Sequence, residues 1–106
     1  MSHRVLVILA PGFEEIETVT PIDLLRRAEV EVVLASLTGA ELVTGRSSLT
    51  LQADASLSEV SGDPFDALLL PGGPGVKAIR ADGRAAKLAR EFVEAGKIVA
   101  AICAAP

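Results

Sequence analysis

The sequence predicts an α/β fold built on a mainly parallel sheet with helices on both faces. Three observations predict it. Short continuous apolar runs recur, of the kind found in strands buried on both sides. Segments with helical apolar spacing alternate with them. Clusters of Pro and Gly close the runs abruptly at residues 11–12 and 71–75.

Residues 4–10 (RVLVILA) form the first strand, and Pro11-Gly12 ends it. Residues 14–28 read as a helix, with Ile16, Val19, Ile22, Leu25 and Ala28 recurring at helical spacing. Pro21 lies inside it and should remove a hydrogen bond and bend the helix near Val19. Arg26 and Arg27 suit its C-terminal end. Residues 30–36 (VEVVLAS) are the second strand. Residues 41–44 and 48–52, separated by Gly45-Arg46-Ser47, read as a hairpin. Residues 54–60 hold a short helix and 61–64 a loop. Residues 66–70 (DALLL) form another buried strand, stopped by PGGPG. Residues 82–95 read as a helix with Ala85, Leu88, Ala89, Phe92 and Val93 on one face and Gly96 in the stop position. Residues 97–102 (KIVAAI) are the last strand, and Cys103 follows at once. In such sheets, sites form beyond the C-terminal strand ends. Residues 11–17, 71–75 and Cys103 converge there.

Composition narrows the function classes. Half of the 106 residues are hydrophobic, which is enough for a core in one domain, residues 1–106. The net charge of −4 argues against a nucleic-acid partner, which would need clustered Lys and Arg. No apolar run approaches the ~20 residues of a membrane span, and residues 5–10 lack the length and cleavage site of a signal peptide. A single cysteine permits neither an internal disulfide nor a Cys-rich metal site. The expectation is a cytoplasmic protein with no metal and no cofactor.

Cys103 has two readings. At a strand-to-turn junction among small residues, a helix beginning just after it would aim unpaired amides at the sulfur, as in a nucleophile elbow. A lone cysteine is also commonly a small buried hydrophobe. Glu14 and Glu15 read as solvated carboxylates favouring the helix N-terminus. Glu17 falls beside Ile16 near the apolar face, and it reaches Cys103 if the first and last strands are adjacent. There it could donate a hydrogen bond to sulfur or exchange a proton with substrate. Gly72-Gly73 matches neither the Walker nor the dinucleotide pattern. It fits better as a turn whose Gly73 N–H, together with the Ala104 N–H, forms an oxyanion hole; a plain tight turn is the alternative. His3, the only histidine, sits at the opposite strand end and reads as a surface residue, so this sequence holds no Cys–His pair.

The segments RVLVILAPGFEEIETVTPIDLLRRA, ADASL, DALLLPGG and IVAAICAAP together resemble the ThiJ/PfpI superfamily, in particular its parkinsonism-associated and YajL-like branch. The resemblance covers essentially all of the chain. It implies a flavodoxin-like sandwich, usually homodimeric. It implies that Cys103 is a nucleophilic, easily oxidised cysteine, and that Glu17 is the protonated glutamate contacting it. By the same resemblance Gly73 and Ala104 supply oxyanion-type amides next to Gly72, and Arg46 stands near the dimer-facing rim of the pocket. Glu29 departs from the pattern, standing where relatives often carry Gly. Relatives also continue past the elbow, so the chain is expected to lack the C-terminal part of the fold, completed by further sequence or a separate chain.

The leading functional expectation is a cofactor-independent glyoxalase or deglycase acting on reactive dicarbonyls such as methylglyoxal, or on their adducts. The alternative is a non-enzymatic redox-sensing chaperone or oxidative-stress protein switched by oxidation of Cys103. A cysteine peptidase or amidotransferase would need a downstream histidine.

Overall fold

Apolar residues alternate sides along the central strand, and that alternation organises the molecule. The computed structural model describes residues 3–103 and residue 105. The chain runs β1 (Arg4–Leu9), α1 (Glu15–Arg27), β2 (Glu31–Ser36), β3 (Leu42–Thr44), β4 (Thr50–Gln52), β5 (Ala55–Ser56), α2 (Leu57–Val60), β6 (Ala67–Leu70), α3 (Val76–Asp82), α4 (Arg84–Glu94) and β7 (Ile98–Ala101). The five-stranded sheet has the order β5-β2-β1-β6-β7, with every pair parallel. β3 and β4 pair antiparallel as a separate hairpin.

On one face of β1, Leu6 and Ile8 pack with Leu68 of β6 and with Leu57, Ile79, Leu88 and Phe92 from α2, α3 and α4. On the other face, Val5 and Val7 pack with Leu34 of β2, Leu69 of β6 and Ile22 of α1. Helices therefore cover both faces, as expected of this α/β class. The α1 face is covered less completely. An apolar groove of 630 Å³ lies beside α1, bordered by Leu24 and Leu25 and by Ala67, Leu69, Ile98 and Ala100 of β6 and β7. No helix of the described residues is long and apolar enough to cross a membrane.

Several local expectations are corrected. α1 buries Glu15, Thr18 and Ile22 rather than the Ile16–Val19 stripe. Ile16 is 74% exposed and Val19 is also exposed. Thr18 can be buried because its hydroxyl donates to Glu14 O at 2.8 Å. The helix expected over 82–95 is α4, but it starts two residues later, at Arg84, because Gly83 takes a left-handed φ of 84° between α3 and α4. α3 was not foreseen. Val93, expected on the buried face of α4, is exposed. The segment expected as a short helix at 54–60 opens with the strand β5, which extends the sheet beside β2 before α2 begins. α2 itself carries a full capping box between Ser56 and Glu59.

Candidate active site

β1 leads to β2 on one side of the sheet, and the chain later returns to β6 on the other side of β1. The crevice between the C-terminal ends of β1 and β6 is thus the point where strand order reverses, the place where open α/β sheets form sites. The loop after β1, the loop after β6 and Cys103 after β7 all meet there.

The loops after β1 and β6 are bonded to each other. Glu14 N donates to Gly72 O at 3.0 Å and Gly75 N donates to Gly12 O at 3.0 Å. Gly73 adopts φ 99°, which favours glycine. A Cβ there would also lie 2.6 Å from Glu14 N and 2.8 Å from Gly12 O. Its N–H donates to no acceptor among the described residues, so it is available to a ligand. Ala104, expected to supply the second amide, lies outside the described residues.

Glu14 is the N-cap of α1. Its carboxylate accepts from Ile16 N and Glu17 N, both at 3.1 Å. The first turn of α1 is thereby fixed, and Glu17 is turned toward the end of β6. The first and last strands are not adjacent, because β6 lies between β1 and β7. Glu17 and Cys103 nevertheless approach each other, and Gly72 is the reason. A side chain on Gly72 would collide with Glu17 Oε1 and would lie 3.0 Å from Cys103 Cβ and 2.8 Å from Ile102 O. Both groups therefore border the space that Gly72 leaves empty. Glu17 Oε1 is buried there with no hydrogen-bond partner among the described residues.

Cys103 is exposed rather than buried as a small hydrophobe. Its φ of 55° is left-handed, an uncommon conformation for a non-glycine residue and one that concentrates at functional turns. A cleft of 330 Å³ connects it with Glu14, Glu17, Gly73, Lys77 and Arg46, among others. The arrangement is a solvent-accessible sulfur with a carboxyl and an unpaired backbone N–H bordering the same cleft. His3 is far from this cleft, exposed at the opposite strand end and 3.8 Å from Asp66.

Glu15 was expected to be solvated, and this is corrected. It is only 5% exposed. Its Oε2 accepts from Ser47 N at 2.8 Å and from Leu49 N at 3.2 Å. Gly45 leaves room for it, since a Cβ there would come within 2.6 Å of Glu15 Cδ. Burial pushes the carboxyl up, but the amides of Leu49, Ser47 and Glu15 itself, with the Arg46 guanidinium, outweigh it and hold it below its ordinary value. Glu15 therefore ties the β3–β4 hairpin to α1. This fixes the turn bearing Arg46, whose own N–H donates to Phe13 O at 2.9 Å.

The comparisons with known proteins bear on family and fold. The chain is 43% identical to Protein dj-1beta of Drosophila melanogaster over 107 residues, covering 100% of itself and 57% of that protein. It is 37% identical to Protein/nucleic acid deglycase 2 of Escherichia coli over 107 residues, covering 100% of itself and 62% of the relative. The crystal structure of Drosophila DJ-1beta superposes with a TM-score of 0.96 over 100% of this chain and 57% of that one. The structure titled "Toxoplasma gondii DJ-1, oxidized" does so with 0.93 at 39% identity, over 98% of this chain and 57% of that one. The chain thus spans little more than half the length of these relatives. The sequence profile of the DJ-1/PfpI family matches residues 3–106, nearly the whole length, and the chain therefore belongs to the DJ-1/PfpI family.

Proposed function

We propose that this protein is a cysteine-dependent enzyme of the deglycase or glyoxalase type, acting without a cofactor on reactive dicarbonyls or their adducts. The observation that carries the reading is the pairing of an exposed Cys103 with Glu17, whose buried Oε1 has no partner among the described residues. The deglycase name borne by the Escherichia coli relative supports it.

The proposed chemistry runs as an addition, an isomerisation and a hydrolysis. The Cys103 sulfur adds to the aldehyde carbon of a 2-oxoaldehyde. A C–S bond forms, the carbonyl π pair moves to oxygen, and the Gly73 N–H, which has no acceptor among the described residues, stabilises that charge. Ala104 would supply a second amide. Glu17 delivers a proton to the oxygen to complete the hemithioacetal. It then carries the proton of the former aldehyde carbon to the neighbouring carbon while the hydroxyl proton passes to the neighbouring oxygen, leaving a thioester of a 2-hydroxy acid. Water cleaves the thioester, releasing the acid and restoring the thiol. Arg46 lies on the rim of the cleft and binds the substrate.

The active protein is a homodimer in the cytoplasm, with further sequence or a second chain completing the fold. The outward Ile16 and Val19 of α1 and the apolar groove beside it support such association. A second reading, a chaperone or stress protein switched by oxidation of Cys103, draws on the exposure of that sulfur and on the oxidised state of the Toxoplasma structure.

The test is turnover of methylglyoxal by the full protein and by Cys103→Ser and Glu17→Gln. Hydroxy-acid formation lost in the first and strongly reduced in the second is expected. Turnover that survives Cys103→Ser overturns the proposal.

A further inference from the structure

The cleft beside Cys103 carries a concentration of positive charge of which the proposed reaction uses only Arg46. Of the 10 Lys and Arg residues in a chain of net charge −4, three line this cleft: Arg46, Lys77 and Arg80. Arg46 comes from the β3–β4 turn and is held in place by Phe13 O and Glu15. Lys77 and Arg80 come from α3, where a spacing of three puts them on one face. Arg80 has an interaction of its own within the fold. Lys77 forms no ion pair among the described residues.

The negative charges in the same cleft are differently placed. The Glu14 carboxylate is engaged by two backbone amides of α1. Glu17 is directed at the space left by Gly72. The carboxylates therefore lie on the α1 side, while the ammonium of Lys77 stands on the α3 side with no carboxylate to neutralise it. A ligand bonded to the sulfur and reaching toward α3 meets uncompensated positive charge.

We propose that Lys77, assisted by Arg46, forms an anion-binding wall beside Cys103, so that the site prefers carbonyl compounds bearing a carboxylate over neutral ones of the same size. This rests on the cysteine chemistry proposed above and names its substrate class. Desolvation inside a cleft strengthens such attraction relative to open solvent, and added salt weakens it.

The experiment compares alkylation of Cys103 by iodoacetate and by iodoacetamide in the full protein. The two reagents have nearly the same size and differ in charge. In both reactions the sulfur displaces iodide: a C–S bond forms, the C–I bond breaks, iodide leaves with the electron pair, and the thiol proton passes to solvent. Both sense the ionisation of the thiol equally, so the ratio of their rates isolates the charge of the ligand. The expected ratio favours iodoacetate relative to free cysteine under the same conditions. Lys77→Met should lower it about threefold, the effect of one exposed charge, and Lys77→Glu should lower it further. High salt should bring wild type toward Lys77→Met. A ratio equal to that of free cysteine, or one unmoved by both Lys77 substitutions, overturns the anion-binding wall. Because alkylation needs no turnover, failure to convert any dicarbonyl removes the enzymatic reading while this ratio still decides the wall.

Discussion

Glu17 and Cys103 border a space kept open by Gly72, although the strands preceding them are separated by β6. The proximity of carboxyl and sulfur therefore depends on a missing side chain in the loop that follows β6. Gly72 has no unusual φ to satisfy, so its requirement is steric. Gly72→Ala places a methyl against Glu17 Oε1 and within 2.8 Å of Ile102 O. Overpacking of this kind costs about 1–3 kcal/mol. The denaturant midpoint should fall accordingly, and the methyl should push Glu17 and the Cys103 turn apart. Labelling of Cys103 by a neutral reagent, followed against pH, should lose its wild-type profile. A Gly72→Ala protein with unchanged stability and an unchanged profile would show that the two groups do not share that space.

Much of this site was legible in the sequence because its parts stand at strand ends. Cys103 after KIVAAI, Gly72-Gly73 after DALLL and Glu17 after RVLVILA must all emerge at one edge if the strands are parallel. Strand order was not legible. The idea that Glu17 needs the first and last strands side by side failed because pairing is decided by long-range packing, while periodicity is local. The inward face of α1 was misread for a related reason. Apolar spacing selected Ile16 and Val19, but the interior accepts Glu15 and Thr18 because both are hydrogen-bonded there. Glu15 was missed since its partners lie 32 and 34 residues away. α3 was missed because PGGPG signals a turn and the following seven residues are too few to show a period.

Glu15 should make the hairpin sensitive to acid. Its carboxyl is held below its ordinary value by the amides of Leu49 and Ser47 and by Arg46, which outweigh the effect of burial. A carboxyl whose folded value lies below its unfolded value contributes fully above the unfolded value. That contribution is lost as pH falls through the folded value. Hydrogen-exchange protection of the Ser47 and Leu49 amides should therefore decline as pH drops from about 6 to about 3. Glu15→Gln cannot ionise, so it should weaken the hairpin at neutral pH and flatten the decline. Protection that rises on acidification, or a Glu15→Gln protein with the wild-type pH dependence, would rule out the carboxylate as the tie between hairpin and α1.

The end of α1 offers a substitution that should stabilise the chain. Val30 N donates to Leu25 O and Glu29 N to Arg26 O, both at 3.0 Å, the paired bonds of a Schellman motif. Such a motif needs a left-handed residue just past the C-cap, and Glu29 supplies it with φ 64°. An L residue with a Cβ is strained there by about 1–2 kcal/mol, which glycine avoids. Glycine also has more freedom to lose on folding, about 0.5–1 kcal/mol. The net expectation for Glu29→Gly is a gain of about 0.5–1 kcal/mol. Part of any gain could come from removing a negative charge at a helix C-terminus, where the macrodipole disfavours it. Glu29→Gln isolates that part, since it removes the charge and keeps the strain. Urea unfolding of the three proteins should therefore rank Glu29→Gly above Glu29→Gln, with wild type lowest. If Glu29→Gln matches Glu29→Gly, the cost at this position is electrostatic and the backbone argument is wrong; if Glu29→Gly is the least stable, the left-handed turn is held by contacts of the Glu29 side chain instead.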